Sequence, residues 1–404
     1  MFDVVIVGAG HSGAHAAMAL RQGGFGGSVL LIGDEFDPPY ERPPLSKDYL
    51  AGEREAARLA FRPRAFWDER AITLRLGEAA TCVDAQARTV EVGGEAIGYG
   101  RLIWAAGGYA RPLPLPGADL PGVHAVRTRA GVDALRRDLA DARDVVVIGG
   151  GYIGLESAAV LTKAGKRVTV IEAQDRVLQR VTCGQLSRFY EGEHRAHGVN
   201  VRTSTGVYAI EGEGRVRSVI TTDGHVAADV VIVGIGLVPH AAVLANAGAT
   251  VANGIEVDEH CRTSLADIYA VGDCAAHPNA FAHGQRTRLE SVQNAVDMAK
   301  TAAAHILGRE EPYRAVPWFW SNQYDLKLQT VGLCGGHDAV VMRGDPGTRS
   351  FSLVYLREDR VIAVDAVNCA RDFTGGRALV ERGTIVRRED LADSGRSLKN
   401  FAIG

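Results

Sequence analysis

Two glycine-rich turns, about one domain length apart, constrain this chain more than any other feature. The first reads Gly8-Ala9-Gly10-His11-Ser12-Gly13 and follows the apolar run Val4-Val5-Ile6-Val7. The second reads Gly149-Gly150-Gly151-Tyr152-Ile153-Gly154 and follows Val145-Val146-Val147-Ile148. One such motif is weak, because glycine-rich turns are common. A pair, each set between a buried-strand pattern and a helix pattern, implies two dinucleotides on one polypeptide. In each motif the first glycine permits a tight turn and the second lets backbone approach a pyrophosphate. The third lets the helix pack on the strand, and the helix N-terminus favours the phosphate charge.

The spacing predicts a strand over residues 2–7, a helix over 12–22 and a strand over 28–32, then the same order over 145–148, 152–163 and 167–171. This is a duplicated module of domain size, not a short-period repeat. A Pro- and Gly-rich stretch over 111–117 reads as a crossing between domains, and 234–239, after the buried run 230–233, reads as a second crossing. Residues 267–273 read as another buried strand ending in a Gly-Asp turn. Beyond Pro317 the texture changes, and alternating segments over 351–356 and 361–367 suggest antiparallel strands. The expected architecture is α/β, with two Rossmann-like dinucleotide-binding domains plus a C-terminal α+β domain. The first dinucleotide domain is discontinuous, over 1–110 and 237–317. The second covers 111–236, and the C-terminal domain 318–404.

Composition narrows the function classes. The 404 residues suit two or three domains, and 46% hydrophobic with 23% charged content is ordinary for a globular protein. A net charge of -3 disfavours a nucleic-acid partner. No run approaches the roughly 18 apolar residues of a membrane span. The first strand begins at Phe2, which leaves no room for a signal peptide. The cysteines (82, 183, 261, 274, 334, 369) are scattered without Cys-x-x-Cys, so neither a disulfide framework nor a zinc site is suggested. His11 and His15 have the spacing of a metal pair, but inside a phosphate-binding turn that spacing reads as incidental. A cytoplasmic protein without nucleic acid, membrane or metal is expected.

Around each fingerprint lie candidate contacts. In the second module Glu172 ends the strand over 168–171, where a carboxylate holds the ribose hydroxyls of a nicotinamide dinucleotide. Ala173 and Gln174 follow, with no arginine to compensate a 2′-phosphate, so NADH is expected over NADPH. Gly149, Gly151, Ile153, Gly154 and Gly236 complete this candidate set. In the first module Gly8, Gly10 and Gly13 line the turn, and Asp34 and Glu35 follow Gly33 slightly late. Which of the two holds the ribose is open. Asp273 suits either an ordinary turn or the ribityl hydroxyls of a flavin. The stiff loop Pro38-Pro39-Tyr40-Glu41-Arg42-Pro43-Pro44-Leu45-Ser46-Lys47 contributes Arg42 as a cofactor contact and ends in a lysine suited to a flavin N5. Glu156, on the first turn of its helix, suits either a helix-dipole role or pairing with Lys47. Trp318-Phe319-Trp320 suits either core packing or a ring over a flavin.

Together these residues resemble the FAD-dependent, NADH-using ferredoxin reductases of bacterial oxygenase systems, which share the glutathione-reductase-type fold. The matching stretches are 5–13, 43–47, 149–156, 268–274, 288–295 (RLESVQNA) and 318–327 (WFWSNQYDLK). The resemblance implies that the first fingerprint binds FAD and the second NAD. By the same match Ser12, Asp34, Lys47, Arg127, Asp273 and Val292 contact FAD, with Val83 at the adenine end. It also implies that Lys47 and Glu156 pair near the flavin and that Trp320 lies close to its ring. Two departures stand out: Ala105-Ala106-Gly107 replaces the usual Ala-Thr-Gly, and Val238-Pro239-His240 replaces Val-Pro-Asn.

The implied reaction passes hydride from NADH to FAD and then single electrons to an external [2Fe–2S] ferredoxin that supplies a P450 or Rieske oxygenase. An external acceptor follows because no cysteine lies between Met1 and Thr81, where relatives that reduce disulfides or peroxides carry theirs. The alternatives are a monodehydroascorbate- or rubredoxin-reductase-like flavoenzyme, and a redox-sensing protein resembling apoptosis-inducing factor.

Overall fold

The computed structural model describes residues 1–401 and divides into two compact units. The first comprises Met1–Arg42, Ala57–Tyr109 and Val238–Pro317. The second comprises Pro43–Ala56, Ala110–Leu237 and the described residues from Trp318 onward.

In the first unit five strands run parallel in the order Ile72–Leu76, Val29–Gly33, Phe2–Val7, Glu95–Trp104, Ile268–Ala270. Val4, Val5 and Ile6 are wholly buried, which explains an unbroken apolar run in place of alternation: both faces of a parallel sheet are covered. The helices His11–Gln22 and Val292–Ile306 pack on each other, and both bury small residues such as Ala14, Ala17, Ala299 and Ala303. An antiparallel meander, Ala80–Asp84 and Thr89–Val92, extends the sheet from Glu95–Trp104.

The second unit repeats this plan. Its parallel sheet has the order Asn200–Arg202, Arg167–Ile171, Asp144–Ile148, Val230–Val233, Val123–His124. The helix Tyr152–Lys163 follows the central strand. The remainder of this unit carries a five-stranded antiparallel sheet, ordered Trp318–Gln323, Leu326–Gly332, Arg360–Val367, Ser350–Arg357, Ala339–Asp345, with the helix Ala370–Arg382 packed on it. The segment Pro43–Ala56 packs with this unit, which brings the end of the proline-rich loop onto the helix Tyr152–Lys163. No helix among the described residues is long and apolar enough to cross a membrane.

Candidate functional site: two dinucleotide cradles and a buried ion pair

The two fingerprints adopt one geometry. Gly8 has φ +109°, and a Cβ there would lie 2.3 Å from the Ala105 carbonyl oxygen. Gly149 has φ +110°, and its Cβ would lie 2.4 Å from the Gly234 carbonyl oxygen. In each case the strand end meets the neighbouring strand with no space for a side chain. The third glycines are equally constrained: a Cβ on Gly13 would lie 1.8 Å from the Gly8 oxygen, and one on Gly154 would lie 2.2 Å from the Gly149 oxygen. The middle glycines differ. A Cβ on Gly151 would meet nothing within 4 Å, and one on Gly10 only the Arg42 guanidinium, at 3.8 Å. Glycine there leaves bare backbone N–H groups facing open space, which is what a pyrophosphate requires. Both turns therefore fit a dinucleotide.

In the first unit Gly272, with φ +76°, sits so close to the helix start that a Cβ would lie 2.1 Å from Ser12 Oγ. This contact draws the Gly272–Cys274 turn, and Asp273 with it, against the fingerprint. Val292 opens the helix Val292–Ile306, whose N-cap Ser291 accepts from Asn294 N at 3.1 Å. Glu35 is engaged: Arg42 reaches it at 2.6 Å and Tyr40 donates to it at 2.6 Å, while Asp34 is exposed. The pair Glu35–Arg42 thus holds a guanidinium beside Gly10. Val83 is buried in the core. His240 takes the place of the usual asparagine and donates its backbone N–H to Gly107 O at 2.9 Å, while Trp104 Nε1 donates to His240 O at 2.7 Å. His11 and His15 both pack edge-on against Phe61.

In the second unit Glu172 is pinned to the turn it serves. Its Oε2 accepts from Gly150 N at 2.7 Å and its Oε1 from Gln174 N at 2.8 Å. Each oxygen keeps a lone pair for a ribose hydroxyl. Ile153, on the first helical turn, is 42% exposed despite its apolar side chain. Gly236 has φ +107° and lies near the Arg180 guanidinium. Arg127 directly precedes the N-cap Thr128 of the helix Arg129–Leu139.

The second unit also holds a buried ion pair. Glu156, 1% exposed, accepts from Lys47 Nζ and from Ser46 Oγ on Oε2, both at 2.6 Å, and from Ser321 Oγ on Oε1, also at 2.6 Å. Lys47 Nζ also reaches the Pro43 carbonyl at 3.2 Å. Its ammonium therefore keeps a fixed position at the surface of the unit, with the counter-charge beneath it. Behind Ser321 the donors continue in one direction. Gln323 Nε2 donates to Ser321 Oγ at 3.2 Å, His194 Nε2 meets Gln323 Oε1 at 2.8 Å, and Tyr324 OH meets His194 Nδ1 at 2.9 Å. Because Gln323 presents its oxygen to His194, the imidazole proton lies on Nε2 and Tyr324 donates to Nδ1. Burial lowers the His194 pKa to about 4, so the ring is neutral. Trp320 lies beside Ser321 on the same strand, with Trp318 at 5.6 Å between ring centroids, and Phe319 meets Tyr152 in a tilted ring contact at 4.6 Å.

Sequence reasoning named Lys47, Glu156 and Trp320 but missed Tyr40, Ser46, Ser321, Gln323 and His194. The only signal was a hydroxyl adjacent to a named residue, Ser46 before Lys47 and Ser321 after Trp320. The cysteines among the described residues are free. Cys274, next to Asp273, is buried with its thiol aimed at the Val271 and Trp104 carbonyls, and burial pushes its pKa up to about 12. That thiol is not a nucleophile at neutral pH.

Two Rossmann-type cradles, one in each unit, define an oxidoreductase framework for two dinucleotides. The chain belongs to the pyridine nucleotide-disulphide oxidoreductase family, whose model matches residues 2–299; a reductase C-terminal model matches residues 318–402. It is 56% identical over 404 residues to the 5,5'-dehydrodivanillate O-demethylase ferredoxin reductase subunit of Sphingobium sp., covering 99% of this chain and 98% of that protein. The ferredoxin reductase for the CYP199A2 system from Rhodopseudomonas palustris matches with a TM-score of 0.96 at 40% identity, over 99% of this chain and 100% of that one. The reductase in the covalent putidaredoxin reductase-putidaredoxin complex also gives 0.96, at 39% identity, over 99% of this chain and 98% of that one.

Proposed function

We propose that the protein is an FAD-dependent NADH:ferredoxin oxidoreductase that supplies electrons to an oxygenase system through a [2Fe–2S] ferredoxin. The observation that carries this is the pair of like-built cradles on one chain, in a family whose similar members are ferredoxin reductases. A bound flavin supplies the conversion between a two-electron hydride donor and a one-electron acceptor, so one NADH accounts for two reduced ferredoxins.

The first cradle holds FAD through Gly8, Gly10, Ser12 and Gly13. Arg42 offsets phosphate charge, and Asp34, Asp273, Val292 and Val83 are the further contacts. The second holds NADH through Gly149, Gly151, Ile153 and Gly154, with Glu172 on the adenosine ribose and Gly236 alongside. Lys47, paired with Glu156 at 2.6 Å, is assigned to flavin reduction, and Trp320 with it. A cytoplasmic location belongs to the same reading, since a nicotinamide donor and free thiols suit a reducing compartment.

The test is reconstitution. Purified protein should show a flavin spectrum that bleaches anaerobically on addition of NADH. Cytochrome c reduction should then require an added [2Fe–2S] ferredoxin. Protein that retains no flavin, or turnover equally fast without ferredoxin or with rubredoxin in its place, overturns the assignment.

A further inference from the structure

We propose a second, unrelated site: a zinc-class divalent metal site formed by His260, His305 and Glu310 in the first unit. His305 lies in the last turn of the helix Val292–Ile306, and Glu310 lies four residues past its end. His260 sits in the turn that leads to Cys261. One ligand atom from each of the three lies within 4.8 Å of the other two. His260 Nε2 is 3.4 Å from Glu310 Oε2, and His305 Nε2 is 3.6 Å from Glu310 Oε1.

These separations exceed those of ordinary N–H···O hydrogen bonds, which fall at about 2.7–3.2 Å. They match the spacing of ligand atoms around a tetrahedral zinc, which bonds of about 2.0–2.1 Å place roughly 3.3 Å apart. The three groups converge without closing on one another. The imidazole of His260 supplies a second, independent observation. It is 8% exposed, its Nδ1 has no hydrogen-bond partner, and its Nε2 is aimed into the cluster. A buried ring with neither nitrogen in a good hydrogen bond is costly unless a ligand takes one of them.

The surroundings suit a cation. His305 Nδ1 is held by Tyr269 OH at 2.9 Å, the outer contact that orients a metal-bound imidazole and frees Nε2. The C-terminal end of a 15-residue helix favours positive charge. Arg262, which follows His260 in the same turn, is committed to Asp258 at 2.6 Å. The Asp258 carboxylate also accepts from His260 N and Arg262 N, both at 2.9 Å, which fixes the turn that carries His260. Two imidazoles and one carboxylate, with water as a fourth ligand, form a borderline donor set that selects zinc over calcium or magnesium. A metal here clips the Asp258–Arg262 turn to the helix end. It lies about 20 Å along that helix from Val292, so the site stands apart from the dinucleotide cradle of its own unit.

Zn²⁺ is the probe, used with tag-free, chelator-treated flavin-loaded protein and a competing chromophoric chelator. One equivalent should bind per chain and raise the thermal midpoint. His305→Ala should weaken binding about 100-fold and remove the midpoint shift. Glu310→Gln, at a 74% exposed side chain that the fold does not need, should weaken it at least tenfold. Co²⁺ in place of zinc should give visible bands of a nitrogen-oxygen site. Binding that is unchanged in both variants overturns the site, as does a near-ultraviolet thiolate band with Co²⁺, which would move the metal to a cysteine.

Discussion

Lys47 Nζ lies 2.6 Å from Glu156 Oε2, on a carboxylate that also accepts from Ser46 and Ser321 and is 1% exposed. Three donors satisfy a charge that burial alone would penalise heavily. Glu156→Gln keeps the shape but removes the charge, leaving the half-buried ammonium of Lys47 without its counter-ion. Flavin reduction by NADH in stopped flow should slow at least tenfold, with flavin content retained. Ser321→Ala removes one hydrogen bond to a charged acceptor and should cost about 1.5–3 kcal/mol of stability in urea unfolding. A Glu156→Gln enzyme with wild-type flavin reduction would remove Lys47 from the chemistry.

The glycines of the second cradle separate folding from binding. At Gly149 a Cβ would strike the Gly234 carbonyl oxygen, and the residue has φ +110°, so Gly149→Ala should lower the thermal midpoint as well as abolish NADH binding. At Gly151 no protein atom lies within 4 Å of the added carbon. Gly151→Ala should therefore fold normally and bind flavin, yet raise the KM for NADH at least tenfold by occupying the pyrophosphate's place. Equal KM values for Gly151→Ala and wild type would show that NADH does not lie on this turn.

How much of this was legible in sequence depends on the span of each interaction. The two fingerprints could be read because a turn, a strand and a helix within thirty residues impose their own residue types. The strand 167–171 and the helix 152–163 coincide with the structure for the same reason. Glu35–Arg42 was only half legible, since the guanidinium returns to the turn through a proline-rich loop whose path no local pattern encodes. Ser321 meets Glu156 across 165 residues of chain, and His194 meets Gln323 across 129. Such pairs depend on how helices pack against the antiparallel sheet, and a single serine or histidine in a strand or helix carries no mark of its partner.

Glu172 has two roles that different substitutions separate. Its carboxylate braces Gly150 N, and in the proposed complex it holds the adenosine ribose. Glu172→Gln retains an acceptor for the brace but loses the charge that repels a 2′-phosphate. The ratio of kcat/KM for NADH over NADPH should fall about tenfold, with stability nearly unchanged. Glu172→Ala should lose the same discrimination and also loosen the turn, visible as a lower thermal midpoint. An unchanged ratio in both variants would place cofactor choice elsewhere.

Asp365 and His194 give the second unit opposing responses to acid. Asp365 is buried, with Tyr355 and Thr182 donating to it at 2.5 and 2.7 Å, yet burial dominates and raises its pKa to about 6. The folded state therefore holds its proton more tightly than the unfolded chain. Its contribution to stability is full below the ordinary carboxylate pKa of about 3.8 and is lost as pH rises through about 6. His194 runs the other way. Its pKa is lowered by burial to about 4, so its contribution is full above about 6.5 and is lost as pH falls toward 4. Between pH 4 and 6 the two slopes oppose each other in the wild type. Asp365→Asn should make urea stability rise more steeply with pH across that window, by on the order of 2–3 kcal/mol in total. His194→Gln should do the reverse and flatten or invert the rise. Parallel pH profiles for wild type and both variants would show that neither group changes its proton affinity on folding.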